Sequence, residues 1–330
     1  MALSATSIAH ETEGETADSP TVALNGDPPS AARTDAERRA RYFSSAHAFN
    51  LAFSPVPRGQ FIAEHERAFA ADGATQTIAM DQSHAMALEQ QATTPLILSR
   101  YLRINAGEQL ATQFAASAEI YYVIEGSGQT TSPGEGEDQS IRWSAGDVFF
   151  WPGGAERLHL ASEGPAVLWS VTNEPQLAFE ALRPAATGAG NVEAVHYPSA
   201  EIEHQLHVLR SLRAQPGQAG TALIFAQEKQ LACRNVCPSL TLAMNTLEPG
   251  AMQRAHVHNS VAVTLCVQGK GCYSMIDGDR VDWVDRTVSI TPPGAVHSHH
   301  NDGPALARFL IVQDGGLHYH CRTMGFKFAD

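Results

Sequence analysis

Two stretches about 140 residues apart in this 330-residue chain follow the same order of sequence patterns. In each, a hydrophobic run ends in two glycines separated by one residue, as in "YYVIEGSG" (121–128) and "TLCVQGKG" (264–271). A hairpin pattern follows, then a strand pattern containing a tryptophan, then a strand pattern ending in a proline near a glycine. An internal repeat of this length indicates two copies of one domain.

Both copies consist of short β-branched and aromatic runs separated by glycine and proline, which is typical of antiparallel sandwiches and barrels. Helical patterns occur outside these runs, and the pattern over 34–49 opens with Thr34 and Glu37 at capping-box spacing. The other helical patterns cover 61–70, 176–182 and 200–212. We therefore predict an all-β fold with two barrels, an N-terminal helical extension and short linking helices.

Composition along the chain predicts the boundaries of these parts. The first residues are mainly Ala, Thr, Ser, Glu, Gly and Pro, which favours a flexible tail because little apolar surface is available to bury. The predicted parts are a tail over 1–33, a helical extension over 34–90, a first barrel over 91–173, a helical linker over 174–230 and a second barrel over 231–330.

The charge balance excludes several classes of protein. Lys and Arg total 22 against 35 Asp and Glu, and this net charge of −13 argues against nucleic-acid or anionic-membrane binding. No stretch approaches the ~20 apolar residues of a membrane span, and the N-terminus lacks the basic start and apolar run of a secretory signal.

Five cysteines, an odd number, favour reduced thiols over disulfides. We expect a cytoplasmic protein.

Two histidine clusters indicate a metal site in the second copy: "RAHVHNSVA" (254–262) and "PPGAVHSHHN" (292–301). Alternate side chains of a strand share a face, so His256 and His258 point the same way. His297 follows the rigid Pro-Pro-Gly turn and is expected to join them from a neighbouring strand. Three imidazoles with open positions suit Fe(II), Mn(II), Zn(II) or Cu(II). The alternative is a solvated, histidine-rich surface loop.

This pattern resembles the cupin family over residues 90–320. Cupins carry His-x-His, three or four residues, Glu, six residues and Gly, followed later by Gly, five residues, Pro-x-Gly, two residues, His, three residues and Asn. The second copy departs from this pattern at Ala262, where Glu is usual, and at Arg286, where the leading Gly is usual. The matching positions are His256, His258, Gly269, Pro292, Gly294, His297 and Asn301.

The first copy lacks the metal-binding positions of the motif. Glu119 is retained, but Arg157 replaces the third histidine, and both histidines of the first motif are absent. We expect no metal in this copy and a buried ion pair between Glu119 and Arg157. The corresponding positions are Gln113, Ala115, Glu119, Gly126, Pro152 and Arg157.

Among two-barrel cupins, a first motif ending in Ala262 resembles the gentisate 1,2-dioxygenase group. That resemblance implies an Fe(II)-dependent ring-cleaving dioxygenase with three histidine ligands, here His256, His258 and His297. In most of that group the N-terminal cupin holds the iron. A metal-free first copy is more similar to the large subunit of two-component hydroquinone 1,2-dioxygenase, whose site usually carries Asn and Glu at the positions of His258 and Ala262.

These resemblances imply a substrate such as gentisate, hydroquinone or a substituted analogue, together with O2. They also imply a homo-oligomer, with a small partner subunit as a further option. Two other classes stay open: a non-oxidative Mn or Zn isomerase, decarboxylase or lyase, and a non-catalytic small-molecule-binding protein. Oxygen consumption with Fe(II) and an aromatic diol or hydroxy acid separates these classes.

Strand alternation also predicts residues around the metal. Arg254 shares the parity of His256, so we expect its guanidinium to face the cavity and bind a carboxylate or phenolate, with an edge position at the barrel mouth as the alternative. His299 and Asn301 share the parity of His297 and are candidates for proton transfer, substrate binding and support of a ligand imidazole. Gln253 has the opposite parity and is not expected to contact substrate. His318 and His320 are candidates to approach the cavity from a last strand.

Overall fold

The structure is a computed structural model that describes residues 24–133, 140–185, 190–212 and 220–329. These residues divide into a short N-terminal unit, which ends at Ser54, and a body that begins at Pro55. Most of the predicted tail, residues 1–23, lies outside the described residues. Within the described part of the chain, no helix is long and apolar enough to cross a membrane.

The N-terminal unit contains one helical turn and a two-stranded sheet. Thr34 and Glu37 form the predicted capping box. The helix predicted over 34–49 nevertheless ends after one turn, because Tyr42 and Phe43 pair as a strand with Asn25–Asp27 instead of continuing the helix. The elements are β1 (Asn25–Asp27), α1 (Asp35–Arg38) and β2 (Tyr42–Phe43).

The first part of the body contains ten strands: β3 (Gln76–Ala79), β4 (Leu98–Ile104), β5 (Gln109–Gln113), β6 (Ala118–Glu125), β7 (Ser127–Thr131), β8 (Ser140–Ser144), β9 (Val148–Pro152), β10 (Glu156–Ala161), β11 (Ala166–Thr172) and β12 (Val195–Tyr197). They form a six-stranded sheet in the order β12-β9-β6-β11-β4-β3 and a four-stranded sheet in the order β5-β10-β7-β8. All their pairings are antiparallel.

The second barrel repeats this arrangement with β13 (Thr221–Phe225), β14 (Thr241–Leu247), β15 (Met252–His258), β16 (Ala262–Gln268), β17 (Cys272–Ile276), β18 (Asp279–Asp282), β19 (Val288–Thr291), β20 (His297–Asn301), β21 (Ala307–Gln313) and β22 (Phe326–Phe328). Its two five-stranded sheets have the orders β13-β14-β21-β16-β19 and β18-β17-β20-β15-β22. The predicted all-β, two-barrel fold is confirmed.

Helices occupy the connections. They are α2 (Ile62–Phe69), α3 (Glu174–Phe179), α4 (Ser199–Ser211) and α5 (Gly315–Cys321), with short 3-10 turns at Ser83–Met86 and Glu228–Gln230. The segments predicted as helical extension and helical linker also contribute strands, because β3, β12 and β13 add to the edges of the barrel sheets. Such short edge strands have their partners far away in sequence, so local pattern alone does not reveal them.

One hydrophobic core joins the two barrels. Tyr101 and Trp169 of the first barrel belong to the same buried cluster as Leu265 and Leu310 of the second. The Tyr101 hydroxyl also donates a 2.7 Å hydrogen bond to the carbonyl of Arg286. Arg286 has a φ of 66°, which explains why the cupin motif usually places glycine there.

The interior of the first barrel holds the predicted contact between Glu119 and Arg157, at 3.9 Å from Oε2 to Nε. The guanidinium, however, donates hydrogen bonds to the Ser132 hydroxyl and the Pro152 carbonyl, whereas Glu119 Oε2 accepts one from the Tyr121 hydroxyl. Burial raises the pKa of Glu119 to about 8, and the opposing effect of Arg157 is smaller. At neutral pH the carboxyl is therefore largely protonated, and the contact differs from the predicted ion pair in that only the arginine is charged.

Replacing Glu119 by glutamine tests this protonation state. The folded state holds the Glu119 proton more tightly than the unfolded state, so wild type loses stability as pH rises from the usual value of 4.5 through about 8. Glu119→Gln lacks this dependence. Its free energy of unfolding relative to that of wild type should therefore increase by up to about 1.4 kcal/mol per pH unit across that window. Urea denaturation at pH 5 and pH 8 measures the difference, and a difference that stays constant with pH contradicts the assignment.

Candidate metal centre

The second barrel encloses a cavity of about 870 Å³ between its two sheets. Residues of β14, β16 and β21 line it from one sheet, and histidines of β15 and β20 line it from the other. A volume of this size is sufficient for a small aromatic substrate.

His256, His258 and His297 come together on the wall of this cavity. β15 carries the first two and pairs with β20, which places His256 directly opposite His297. All three side chains are buried, and their ligand atoms lie within 4.8 Å of one another. The structure thus brings together the three histidines that the spacing predicts.

Backbone carbonyls fix the orientation of each imidazole. Nδ1 of His256 lies 2.8 Å from the Arg254 carbonyl, and the corresponding bonds are 2.8 Å for His258 and 2.9 Å for His297. A carbonyl only accepts, so each Nδ1 carries the hydrogen and each Nε2 presents a lone pair. Burial lowers the pKa of all three rings, that of His297 to about 3, which keeps them neutral at physiological pH. Three neutral Nε2 donors held in this way fit a divalent transition metal.

The position of the usual cupin glutamate lies beside this triad and is occupied by Ala262. Ala262 is the first residue of β16, where it pairs with Thr291 and Gln313 on the two flanking strands. The amide Nε2 of Gln313 lies 3.2 Å from Nε2 of His258. Gln313 was not identified from the sequence because it lies on the strand after the second cupin motif, outside the motif pattern.

A register shift in β15 reverses the predicted roles of Gln253 and Arg254. The pairing with β20 is irregular between Gln253 and His256, so these two residues, three apart, both face inward. Gln253 lines the cavity, and its buried Oε1 has no hydrogen-bond partner within the described part of the chain. Arg254 is exposed, and its guanidinium stacks on Phe328 at 4.2 Å. The prediction that Arg254 faces the cavity is therefore not met.

His299 and Asn301 lie on the same face of β20 as predicted, but in different environments. His299 lines the cavity, and its Nδ1 is hydrogen bonded to the Ser274 hydroxyl at 2.8 Å. Burial lowers the pKa of His299 well below its usual value, so the ring is neutral. Asn301 does not line the cavity. Its amide donates to the carbonyls of Leu247 and Ala305, so it connects two turns and is unsuited to the predicted substrate contact.

The remaining histidines differ from expectation in their placement. His318 and His320 lie on α5 rather than on a last strand, because a helix follows β21 directly. His318 is hydrogen bonded to Asn259, and His320 is exposed at the cavity. His300 points to the opposite side of β20 from the triad and stacks on Tyr273, with ring centroids 4.6 Å apart.

The cavity is positively charged in an acidic protein. Arg234 and Arg322 are exposed at its edge and contribute to its lining, and none of the described lining residues is Asp or Glu. The chain as a whole carries a net charge of −13. Both arginines lie in connections between strands, where no motif or alternation indicates that they approach the metal.

Comparison with known proteins shows which proteins the chain resembles. The family model of the cupin domain matches residues 243–313. Gentisate 1,2-dioxygenase of Ralstonia sp. is 28% identical over 156 residues, which are 47% of this chain and 39% of the relative. 5-Aminosalicylate 1,2-dioxygenase of Comamonas sp. is 34% identical over 88 residues, 27% of this chain and 22% of the relative. The matches thus span well under half the length of these curated relatives.

The fold extends the likeness beyond these segments. Salicylate 1,2-dioxygenase of Pseudoaminobacter salicylatoxidans superposes with a TM-score of 0.67, covers 86% of this chain and 88% of its own, and is 12% identical. The chain therefore has the fold of the two-barrel cupins, with a histidine triad in its second barrel. Its predicted resemblance to the ring-cleaving dioxygenases of this fold is confirmed.

We predict one metal ion per chain, held by the triad. His297→Ala should abolish stoichiometric binding of Fe(II) or Co(II), because removing one of three donors leaves an incomplete site. His300→Ala is the matched control on the same strand and should bind normally, since its side chain faces away. Anaerobic metal analysis measures both variants. Two ions per wild-type chain, or full retention in His297→Ala, contradicts the assignment.

Proposed function

We propose that this chain is an Fe(II)-dependent, extradiol-type ring-cleaving dioxygenase that acts on a hydroxybenzoate-type aromatic acid such as gentisate. The observation that carries this proposal is the set of three buried, neutral imidazoles whose Nε2 atoms converge in a cavity lined by arginine and by no described carboxylate. The names of the relatives, which are gentisate, 5-aminosalicylate and salicylate dioxygenases, support the same reaction class.

Iron fits this donor set. His256, His258 and His297 would hold the Fe(II), which would supply open positions for the aromatic hydroxyl and O2 and an electron for the activation of O2. Three neutral ligands leave the site one charge more positive than two imidazoles and a carboxylate would, which favours an anionic substrate. The backbone-held Nδ1–H groups keep the rings in place while the substrate enters and leaves.

The arginines at the cavity edge provide a binding site for a carboxylate. Arg234 and Arg322 are separated in sequence yet line the same cavity. A guanidinium pairs with a carboxylate through two parallel hydrogen bonds, which orients the ring as well as attracting its charge. We propose that these residues take the role that the sequence suggested for Arg254.

The inner part of the cavity suits the far side of the substrate ring. Gln253 pairs with His299, which lies two residues beyond His297, or roughly 6.6 Å along the strand. The unpartnered Oε1 of Gln253 can accept a hydrogen bond from a second hydroxyl or an amino group there. We propose His299 as the neutral ring that exchanges a proton with that substituent.

The metal dependence of oxygen uptake separates the proposed reaction from its alternatives. Protein loaded anaerobically with Fe(II) should consume one O2 per gentisate and place both atoms of isotopically labelled O2 in the ring-opened product. Zn(II)-loaded protein should be inactive, because Zn(II) has no accessible redox change. Turnover by the zinc form without oxygen uptake indicates an isomerase, decarboxylase or lyase, and binding without turnover indicates a non-catalytic protein.

A comparison of arginine variants tests the substrate class. Arg322→Met and Arg234→Met should each lower kcat/KM for gentisate by about tenfold, or ~1.4 kcal/mol, with a smaller effect on hydroquinone, which has no carboxylate. Arg254→Met is the control, because Arg254 lies outside the cavity. Equal losses on gentisate and hydroquinone, or a selective loss in Arg254→Met, contradict the proposed carboxylate site.

The homo-oligomer, the small partner subunit and the cytoplasmic location stay predictions from the sequence. Size-exclusion chromatography with light scattering of the protein expressed alone measures the oligomer, and full activity of that sample shows that a partner is not required.

A further inference from the structure

We propose that Gln313 replaces the glutamate that Ala262 lacks, and that its side-chain Oε1 binds the metal as a fourth, neutral protein ligand. This inference rests on the metal centre of the proposed function but not on the reaction that the centre performs.

Strand register places Gln313 next to the vacated position. Gln313 ends β21 and pairs with Ala262 on one side and Thr241 on the other. Gln313, Ala262, Thr241 and Ile311 all line the cavity, as the alternation of their strands requires. The methyl group of Ala262 is too short to reach the triad, whereas the glutamine on the neighbouring strand extends into the space that a glutamate side chain would fill.

The contact with His258 shows how close the amide comes to the metal position. Nδ1 of His258 is hydrogen bonded to the Ser260 carbonyl, so its Nε2 holds a lone pair and no hydrogen. The Gln313 amide lies 3.2 Å from that Nε2 and donates to it. A metal ion uses the same lone pair at about 2.1 Å, so the ion and the amide N–H compete for one position.

Rotation of the amide resolves this competition. When the ion takes the lone pair, the Nε2–H group of Gln313 loses its acceptor and would be repelled by the positive charge. The last torsion of a glutamine side chain has a broad energy minimum, so the amide turns at little cost. Its oxygen, which is an acceptor, then faces the ion.

A neutral oxygen ligand has a different consequence from a carboxylate. Glutamine leaves the site with the full charge of the ion, whereas glutamate would cancel one unit and weaken the attraction for an anionic aromatic acid. With Ala262 at the position of the usual glutamate and Gln313 beside it, the site therefore keeps a fourth ligand but has no negative carboxylate charge. The arginines at the cavity edge also favour the binding of an anionic aromatic acid.

Metal affinity and the visible spectrum of bound Co(II) test the proposal without reference to activity. Gln313→Met keeps the side-chain volume but removes the oxygen, and should weaken Co(II) and Fe(II) binding by about tenfold or more in anaerobic chelator competition. Its Co(II) absorption should change in intensity, because the ion loses a ligand. Gln313→Glu should bind both ions more tightly than wild type and lower the affinity for gentisate.

Gln253→Met is the matched control, because its amide lines the same cavity but no hydrogen bond within the described part of the chain joins its Oε1 to a triad imidazole. It should retain wild-type metal affinity and the wild-type Co(II) spectrum. Circular dichroism of the metal-free variants checks folding, and Gln313→Asn, which draws the amide back by one methylene, should reproduce the loss if the methionine variant does not fold. If Gln313→Met has wild-type metal affinity and an unchanged Co(II) spectrum, the role of Gln313 as a ligand is overturned, but the histidine metal centre is not. Failure of wild type to bind metal overturns the metal centre as well.

Discussion

The three hydrogen bonds from the imidazole Nδ1–H groups to backbone carbonyls determine the geometry of the candidate metal centre. Without them each ring could rotate or present its hydrogen to the cavity, and three buried histidines would form only a polar patch. With them, three Nε2 lone pairs face one point. Because the acceptors belong to the backbone of the same segments, the fold itself sets the geometry of the donor set.

The rest of the cavity follows from the charge of that donor set. Neutral imidazoles and the neutral amide of Gln313 leave an ion uncompensated, and the described lining contains arginine but no carboxylate. An anionic substrate therefore lowers the electrostatic energy of the site when it binds. The first barrel differs, because its interior holds Glu119 and Arg157 in place of a histidine triad. Its buried hydrophobic residues also contribute to the shared core.

Sequence alone predicted the two barrels and the histidine triad, because a repeat and a two-part motif are patterns that a single chain displays. Alternation on β20 placed His297 and His299 on one face, and both line the cavity. The same reasoning gave the wrong result for Arg254, because the register shift in β15 changes the face of every residue before it. No glycine or proline in "MQRAHVH" marks that shift. Gln313, Arg234 and Arg322 depend on contacts between distant segments, which no local pattern encodes.

Electron paramagnetic resonance of the anaerobic, Fe(II)-loaded protein, with nitric oxide as a stand-in for O2, tests whether the triad holds an iron that also binds the substrate. We expect a ferrous nitrosyl signal in wild type that changes when gentisate is added, because substrate and gas would both bind one iron held by His256, His258 and His297. The signal should be absent in His297→Ala. A wild-type signal that gentisate leaves unchanged, or no signal from fully loaded protein, would exclude an iron at the triad that binds both substrate and gas.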